Sequence, residues 1–237
     1  MNASIPENIR EVRHQISEFE DTYQRPNGSV NLLAVSKTHP TQCIIDAHAA
    51  GQKAFGENYV QEALDKISAL QEYDLEWHFI GPIQSNKTKA LAENFDWVHS
   101  VDRSKIARRL SEQRPVNLAP LKILLQVNLD DEPSKAGIAL NEIKMLANEI
   151  KDLANIELSG LMAIPAPGKD LDSQRLGFRL LAQAKDDLQA QGIRTCQHLS
   201  MGMSSDFEAA IAEGATIVRI GSTIFGPRKQ IYSELDN

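Results

Sequence analysis

The chain has 237 residues, a formal net charge of −7 and two cysteines. The length suits one α/β barrel, for which roughly 250 residues are typical, and the acidic balance argues against nucleic acid or an anionic membrane surface as the main partner. Two cysteines do not make a disulfide framework, no apolar run approaches the ~20 residues of a membrane span, and the polar N-terminus does not resemble a secretory signal; we therefore expect a cytoplasmic protein with a single domain over residues 1–237.

Eight short apolar segments, separated by helical patterns, follow an opening helix predicted over residues 5–23. The helical patterns include 59–70, 141–153, 173–191 and 206–213. The predicted strands are 31–36, 53–56, 77–80, 96–100, 122–128, 157–163, 197–201 and 216–220. Strands that alternate with helices form βαβ units in a parallel sheet. Eight such units indicate closure into a (β/α)8 TIM barrel, an α/β fold, with an extra N-terminal helix.

Lys37 directly follows the first predicted strand. In barrels of this class the active site lies at the carboxyl ends of the strands. Burial there disfavours the ammonium form and lowers the pKa of a lysine, and a neutral amine can form a Schiff base with an aldehyde. The alternative is a structural lysine whose ammonium group reaches solvent past the strand end.

Two glycine–serine loops follow the seventh and eighth predicted strands. Strand seven runs into Gly202 and Ser204, just before a helix predicted to begin near Asp206, and strand eight runs into Gly221 and Ser222. The loops after these two strands are a frequent phosphate site in barrels, and the backbone N–H groups at a helix start can bind an anion. Serine capping of an ordinary helix is the alternative for each loop. The two loops together favour a phosphate.

Arg219 interrupts the apolar eighth strand. Because a buried guanidinium must be paired, it forms either an ion pair with a carboxylate such as Glu57 or Asp206 or a hydrogen bond to a ligand. If the ligand atom were the pyridine nitrogen of pyridoxal 5′-phosphate, that nitrogen would stay unprotonated, since arginine keeps its proton. The cofactor would then be a poor electron sink.

Three weaker candidates lie at or near other strand ends. Asn58 is either a ligand contact or a helix N-cap. His78 and Met162 are either cofactor contacts or core residues. Metal sites have no support, because the sequence lacks clustered His/Cys spacing and a spaced calcium loop. A dinucleotide fingerprint and a P-loop are also missing from the sequence.

Six segments, spread in order over about residues 31–228, closely resemble the YggS/PROSC family of pyridoxal phosphate homeostasis proteins. They are AVSKTHP, FGENYVQEALDKI, EWHFIGPIQSNKTKAL, QVNLDDEPSKAGI, SGLMAIPAP and LSMGMSSDFEAAIAEGATIVRIGSTIFG. The resemblance implies a fold type III barrel like the N-terminal domain of alanine racemase, without its second β domain. It also implies a cofactor, pyridoxal 5′-phosphate, bound as a Schiff base.

By this resemblance, Lys37 carries the cofactor and Arg219 faces its pyridine nitrogen. Ser204, Gly221 and Ser222 hold its phosphate. The family has no defined enzymatic turnover. It is implicated in keeping free pyridoxal phosphate low while supplying it, which makes cofactor-requiring apo-enzymes the expected recipients, and in the balance of amino acids and keto acids. We expect a monomer that binds neither nucleic acid nor membrane.

One position departs from the family pattern, and two other functions compete with a carrier. Many family members have a second lysine where this chain has His39, so a role of that lysine in transfer is in doubt here. An amino-acid racemase would need an acid/base on each face of the substrate carbon. The chain has no length left for a second domain, and its late tyrosine, Tyr232, lies in a charged tail. A Schiff-base aldolase would explain Lys37 and the phosphate loops but explains Arg219 less well.

Overall fold

The computed structural model describes residues 4–130 and 136–227. Within them, eight parallel strands close into a barrel in the order β1 to β8. The strands are β1 (Asn31–Val35), β2 (Ala54–Glu57), β3 (Glu76–Phe79), β4 (Trp97–Val101), β5 (Leu121–Val127), β6 (Ile156–Ala163), β7 (His198–Ser200) and β8 (Ile217–Ile220). Pairing of β1 with both β2 and β8 closes the barrel, with Leu33 opposite Arg219. The predicted barrel is confirmed, and every strand lies within one residue of its expected ends.

Nine α-helices surround the barrel in the described part of the chain. They are α1 (Ile5–Thr22), α2 (Thr41–Ala49), α3 (Val60–Ala69), α4 (Thr88–Asn94), α5 (Ser104–Gln113), α6 (Ile143–Ile150), α7 (Leu171–Ala190), α8 (Phe207–Ala212) and α9 (Ser222–Phe225). The opening helix begins with a capping box, in which Ser4 and Glu7 satisfy each other's backbone N–H groups. It packs against α2, α8 and α9, so it completes the helical layer beside β1 and β8. No helix among the described residues is both long and apolar enough to cross a membrane.

The core has two parts, because alternate residues of a strand face opposite sides of the sheet. The larger part fills the space between the strands and the helices. The smaller part lies inside the barrel and consists of Leu33, Trp97, Leu124, Met162 and Ile217. Two positions after Leu33, Trp97 and Ile217, on the same face of each strand, are Val35, His99 and Arg219. The barrel interior therefore changes from apolar to polar toward the carboxyl ends of β4 and β8.

Candidate functional site

A cavity of about 370 Å³ opens at the carboxyl ends of the strands. Its lining includes six residues singled out from the sequence, which are Lys37, Asn58, Ser204, Arg219, Gly221 and Ser222. The remaining lining residues are Val35, His39, Ile80, Ile164, Met203, Ser205 and Gly226. The structure thus brings together residues that are up to 191 positions apart in the chain, from Val35 to Gly226, and that lie at or beyond the ends of six strands, β1, β2, β3, β6, β7 and β8.

A buried cluster of charged groups holds the loop that carries Lys37. The Lys66 ammonium donates to the Ser36 carbonyl (2.8 Å), to Glu57 Oε1 (2.7 Å) and to Glu62 Oε1 (2.6 Å). Glu62 Oε1 also accepts the N–H of Thr38 at 2.6 Å. The residues on both sides of Lys37 are therefore tied to the same ammonium–carboxylate cluster, which fixes where the lysine backbone leaves β1.

Glu57 is fully buried at the centre of this cluster. Burial raises the pKa of its carboxyl, while Lys66 and the hydroxyl of Ser36 act in the opposite direction. Ser36 Oγ donates to Glu57 Oε1 at 2.6 Å, and Glu57 Oε2 has no hydrogen-bond partner. Glu57 is thus the partner of Lys66, and it does not form the ion pair with Arg219 that was one interpretation of the sequence.

The loops after β7 and β8 meet at one wall of the cavity. Ser222 Oγ lies 3.4 Å from Ser204 Oγ. Gly202 has a φ of +91°, a conformation that glycine adopts without strain, and Asp206 Oδ1 accepts the N–H of Met203 at 2.6 Å. The helices that follow these loops, α8 and α9, have only six and four residues. An anion at this wall would therefore be bound by the serine hydroxyls and the backbone N–H groups of the loops, with little contribution from a helix dipole.

The Arg219 guanidinium is held by oxygen acceptors of neighbouring strands. Its Nη1 donates to the carbonyl of Ser200 (2.5 Å) and to Ser200 Oγ (2.8 Å), and its Nη2 donates to the carbonyl of Ala163 (2.9 Å). Burial lowers the pKa of Arg219 to about 10, and the nearby Asp206 carboxylate acts against that shift. An arginine has five N–H donors, so the three bonds leave two donors for a ligand in the cavity.

Asn58 adds an unsatisfied acceptor to the lining of the same cavity. Its Oδ1 is buried without a hydrogen-bond partner, although buried polar atoms are nearly always paired. Asn58 is not the N-cap of α3. That position is occupied by Tyr59, whose side chain makes no capping hydrogen bond. A ligand that donates a hydrogen bond or brings a water would satisfy this oxygen.

Two candidates from the sequence do not line this cavity. Met162 is 1% exposed in the apolar cluster inside the barrel. His78 lines a second cavity, of about 560 Å³, at the amino ends of the strands. Both residues match the core interpretation, because their side chains are buried, Met162 to 1% and His78 to 3% exposed, and neither lines the cavity at the carboxyl ends. Tyr232 lies outside the described residues.

Some residues of the site were not expected from the sequence. His39 lines the cavity, and its ring centroid lies 5.1 Å from that of Phe225. Glu62 and Lys66 are spaced i, i+4 on a predicted helix, a pattern that could have indicated their ion pair. Nothing in the sequence pattern indicated that this pair points inward and supports Lys37.

Comparison with known proteins places the chain in a family. It matches the family model of the alanine racemase N-terminal domain over residues 8–229. A pyridoxal phosphate homeostasis protein of Pseudomonas aeruginosa is 53% identical over 226 residues, which cover 95% of this chain and 96% of the relative. Its Escherichia coli K12 counterpart is 49% identical over 227 residues, which cover 94% and 97%.

Solved structures agree with these sequence matches. PipY of Synechococcus elongatus PCC7942, solved with PLP bound, is 38% identical with a TM-score of 0.84, and the match covers 94% of this chain and all of PipY. Alanine racemase from Corynebacterium glutamicum has a TM-score of 0.63 at 19% identity, over 95% of this chain and 62% of the racemase, and this likeness concerns the fold alone. The chain therefore belongs to the alanine racemase N-terminal domain family and, within it, to the pyridoxal phosphate homeostasis proteins.

Proposed function

We propose that this protein binds pyridoxal 5′-phosphate in the cavity at the carboxyl ends of the strands and takes part in vitamin B6 homeostasis in the cell. The observation that carries the proposal is the meeting of an amine, a guanidinium and two serine hydroxyls, from Lys37, Arg219, Ser204 and Ser222, around one cavity of about 370 Å³. The names of the relatives and the PLP-bound structure of PipY support it.

The residues of the cavity fit this cofactor group by group. Lys37 supplies the amine that would hold the aldehyde covalently, and Ser204, Ser222 and the backbone at Gly221 would hold the phosphate. Arg219 has two N–H donors left for an acceptor on the ring. When bound, pyridoxal phosphate supplies a reactive aldehyde and an electron-accepting ring. A cation opposite the ring nitrogen disfavours its protonation and so weakens the second property.

Borohydride reduction of the loaded protein tests the covalent part of the proposal. We expect the reduced adduct on the peptide that contains Lys37, and we expect Lys37→Ala to lose the visible absorbance of the bound cofactor. Lys89→Ala is the control, since that side chain is 71% exposed and lies outside the cavity. An adduct that maps to another lysine in the wild-type protein would contradict the assignment, and a protein that stays colourless with pyridoxal phosphate would favour a sugar-phosphate aldolase.

We further infer that the protein has no substantial racemase or transaminase turnover. Of the described residues that line the cavity, Lys37 and His39 are the ones suited to act as bases, and both come from the loop after β1. A base on the opposite face contributes about 10²–10⁴-fold to such a reaction. Exchange of the Cα hydrogen of L-alanine for deuterium, followed with the appearance of D-alanine, should stay far below about 1 per second; a rate of about 1–10³ per second would restore the racemase.

The proposal extends to the fate of the bound cofactor. A carrier that holds pyridoxal phosphate without consuming it would pass it to apo-enzymes that require it, and we infer that it does so as a monomer. Size-exclusion chromatography of the loaded protein, alone and after mixing with an apo-enzyme, checks both points. Elution of the loaded protein as a dimer, or no movement of cofactor to the apo-enzyme, would contradict them.

A further inference from the structure

A chain of hydrogen bonds crosses the inside of the barrel and links the two cavities described above. Glu76 Oε1 lies 2.6 Å from His78 Nε2, and His78 Nδ1 lies 2.9 Å from His99 Nε2. His99 Nδ1 lies 2.9 Å from Ser200 Oγ, which accepts from Arg219 Nη1 at 2.8 Å. The chain begins at a carboxylate on the wall of the amino-end cavity and ends at the guanidinium of the carboxyl-end cavity.

The chemistry of the two ends sets one direction for every bond of the chain. An ionised carboxylate can only accept and a guanidinium can only donate. At one end, the hydrogen bond from His78 lowers the pKa of Glu76, so Glu76 is ionised and the proton of that bond resides on His78 Nε2. At the other end, Ser200 Oγ accepts from Arg219 and so turns its own proton toward His99 Nδ1.

The two histidines between these ends satisfy both demands only in one form. Burial is the main cause that lowers the pKa of His78 and that of His99, so each ring is neutral and carries a single N–H. His99 Nδ1 accepts from Ser200, which leaves its proton on Nε2, and that proton points at the lone pair of His78 Nδ1. Both rings are thus Nε2–H tautomers, and every donor in the chain meets an acceptor.

We propose that Glu76, His78 and His99 are positioning residues which, through Ser200, hold the Arg219 guanidinium in the orientation that presents its two remaining N–H groups to the ligand. This inference rests on the proposed function, because the ligand is the pyridoxal phosphate of that site. Arg219 needs fixed hydrogen-bond acceptors, because its side chain is buried (4% exposed) and forms no direct ion pair among the described residues. The hydrogen-bonded residues give the guanidinium an acceptor, Ser200 Oγ, whose orientation is set from Glu76 through His78 and His99.

The first test uses the protein without ligand. In ¹⁵N-histidine-labelled protein near pH 7, the ring nitrogen shifts should identify His78 and His99 as neutral Nε2–H tautomers. Ser200→Ala should change the His99 Nδ1 shift, because that nitrogen loses its donor, while Ser159→Ala should leave it in place. Ser159 is also a buried strand serine, but its hydroxyl bonds to Glu157. An Nδ1–H tautomer or an imidazolium at His99 would overturn the proposal.

The second test measures what the chain does for the ligand. Each link acts on the ligand only through Arg219, so its loss should weaken binding of pyridoxal phosphate by about three- to tenfold. We expect this loss for Ser200→Ala and for Glu76→Ala, although Glu76 lies at the opposite end of the barrel. Glu76→Gln keeps an acceptor for His78 and should recover most of the affinity. Ser159→Ala should bind like wild type. All variants are compared at a temperature where circular dichroism shows them folded.

The outcomes separate this proposal from the proposed function. Wild-type affinity in Glu76→Ala, or equal losses in Glu76→Ala and Glu76→Gln, would overturn the positioning role. Failure of the wild-type protein to bind pyridoxal phosphate at all would overturn the proposed function and, with it, the ligand part of this inference. The tautomers measured without ligand would in that case still decide whether the directed chain exists.

Discussion

Thr38, the residue after Lys37, has a φ of +65°. A β-branched residue in this region is a genuine outlier. Such a strained backbone conformation costs roughly 1–3 kcal/mol and persists only where the surrounding contacts enforce it. Here the bond from the Thr38 N–H to Glu62, and the bonds from Lys66 to Glu62 and to the Ser36 carbonyl, supply that enforcement. The strain therefore stands directly beside the residue proposed to hold the cofactor.

Glu62→Ala should loosen this loop. The change leaves the Thr38 N–H and one proton of Lys66 without their acceptor, and unmet buried donors cost about 1–3 kcal/mol each. For the two donors together we expect the free energy of unfolding to fall by roughly 2–6 kcal/mol, as measured by urea denaturation. We also expect the affinity for pyridoxal phosphate to fall by about fivefold or more, since Lys37 loses its fixed backbone.

Glu93→Ala is the matched control for that variant. Glu93 pairs with Lys89 at the same i, i+4 spacing, but the pair is 3.7 Å apart and both side chains are exposed. Such surface pairs contribute about 0.3–0.5 kcal/mol. If Glu62→Ala cost no more than Glu93→Ala in both measurements, the cluster would have no role in holding Lys37.

At the scale of whole elements, the proposed phosphate site depends on two neighbouring strands that end at the same mouth of the barrel. Because β7 and β8 are parallel neighbours, their following loops emerge side by side. That arrangement places the hydroxyls of Ser204 and Ser222 3.4 Å apart. Neither hydroxyl forms a cap bond to its helix, so the capping alternative weighed from the sequence does not account for these serines.

Replacement of both serines by alanine should weaken binding of pyridoxal phosphate without unfolding the barrel. Each of the two substitutions removes about one charge-assisted hydrogen bond to the phosphate. That loss is roughly 1.5–3 kcal/mol, or about ten- to a hundredfold in affinity. Pyridoxal, which lacks the phosphate, is the control ligand and should bind wild type and double variant alike. Equal affinity of both proteins for pyridoxal phosphate, measured by absorbance titration, would refute the assignment.

The elements themselves could be predicted because each carries its signal locally. Strands β1, β5 and β6 are rich in apolar residues, and α7 shows a helical period between a capping aspartate, Asp170, and Gln191. Short β2 was also found, since Ala54–Glu57 falls between two helical patterns. The carboxyl-end residues Lys37 and Arg219 followed from the barrel, because the fold dictates which strand ends share a mouth.

Contacts that depend on the direction of a side chain could not be predicted. Lys66 has the sequence context of an ordinary surface lysine on a helix, yet it is 5% exposed beneath the loop of Lys37. His78 was one of several strand residues with a polar side chain, and nothing local indicated that its partners are His99, on the next strand, and Glu76. Such contacts arise from the closure of the barrel, which brings distant strands to one interior.

For the whole molecule, the buried histidines link stability to pH. Burial is the main cause that lowers the pKa of His78, of His99 and of His198 in the folded protein. Below the ordinary histidine pKa of about 6.5, the unfolded chain therefore takes up protons that the folded chain refuses. The stability from these groups is fully present above about pH 6.5 and is lost as the pH falls below it.

Buried carboxyls act in the opposite direction, so a variant is needed to isolate the histidine effect. Burial raises the pKa of Glu57 and of Asp206. These groups keep their protons in the folded state at a pH where the unfolded chain has lost them, and their contribution therefore falls as the pH rises through the folded pKa. The net slope of stability against pH combines both signs, whereas the difference between wild type and a histidine variant reports the histidine alone.

His99→Phe should therefore flatten the dependence of stability on pH. His99 is fully buried, and its pKa is lowered well below the ordinary value. Each histidine that stays unprotonated in the folded state makes the unfolding free energy fall by up to about 1.4 kcal/mol per pH unit on the acid side of about pH 6.5.

Urea unfolding of wild type and His99→Phe between pH 5 and pH 7.5 measures this slope. At neutral pH the variant should be less stable, because Ser200 loses its acceptor, but its slope below pH 6.5 should be smaller by up to that amount. Parallel curves for the two proteins over the whole range would mean that His99 takes up protons equally in the folded and unfolded states. The assignment of a neutral His99 ring within the hydrogen-bond network would then be wrong.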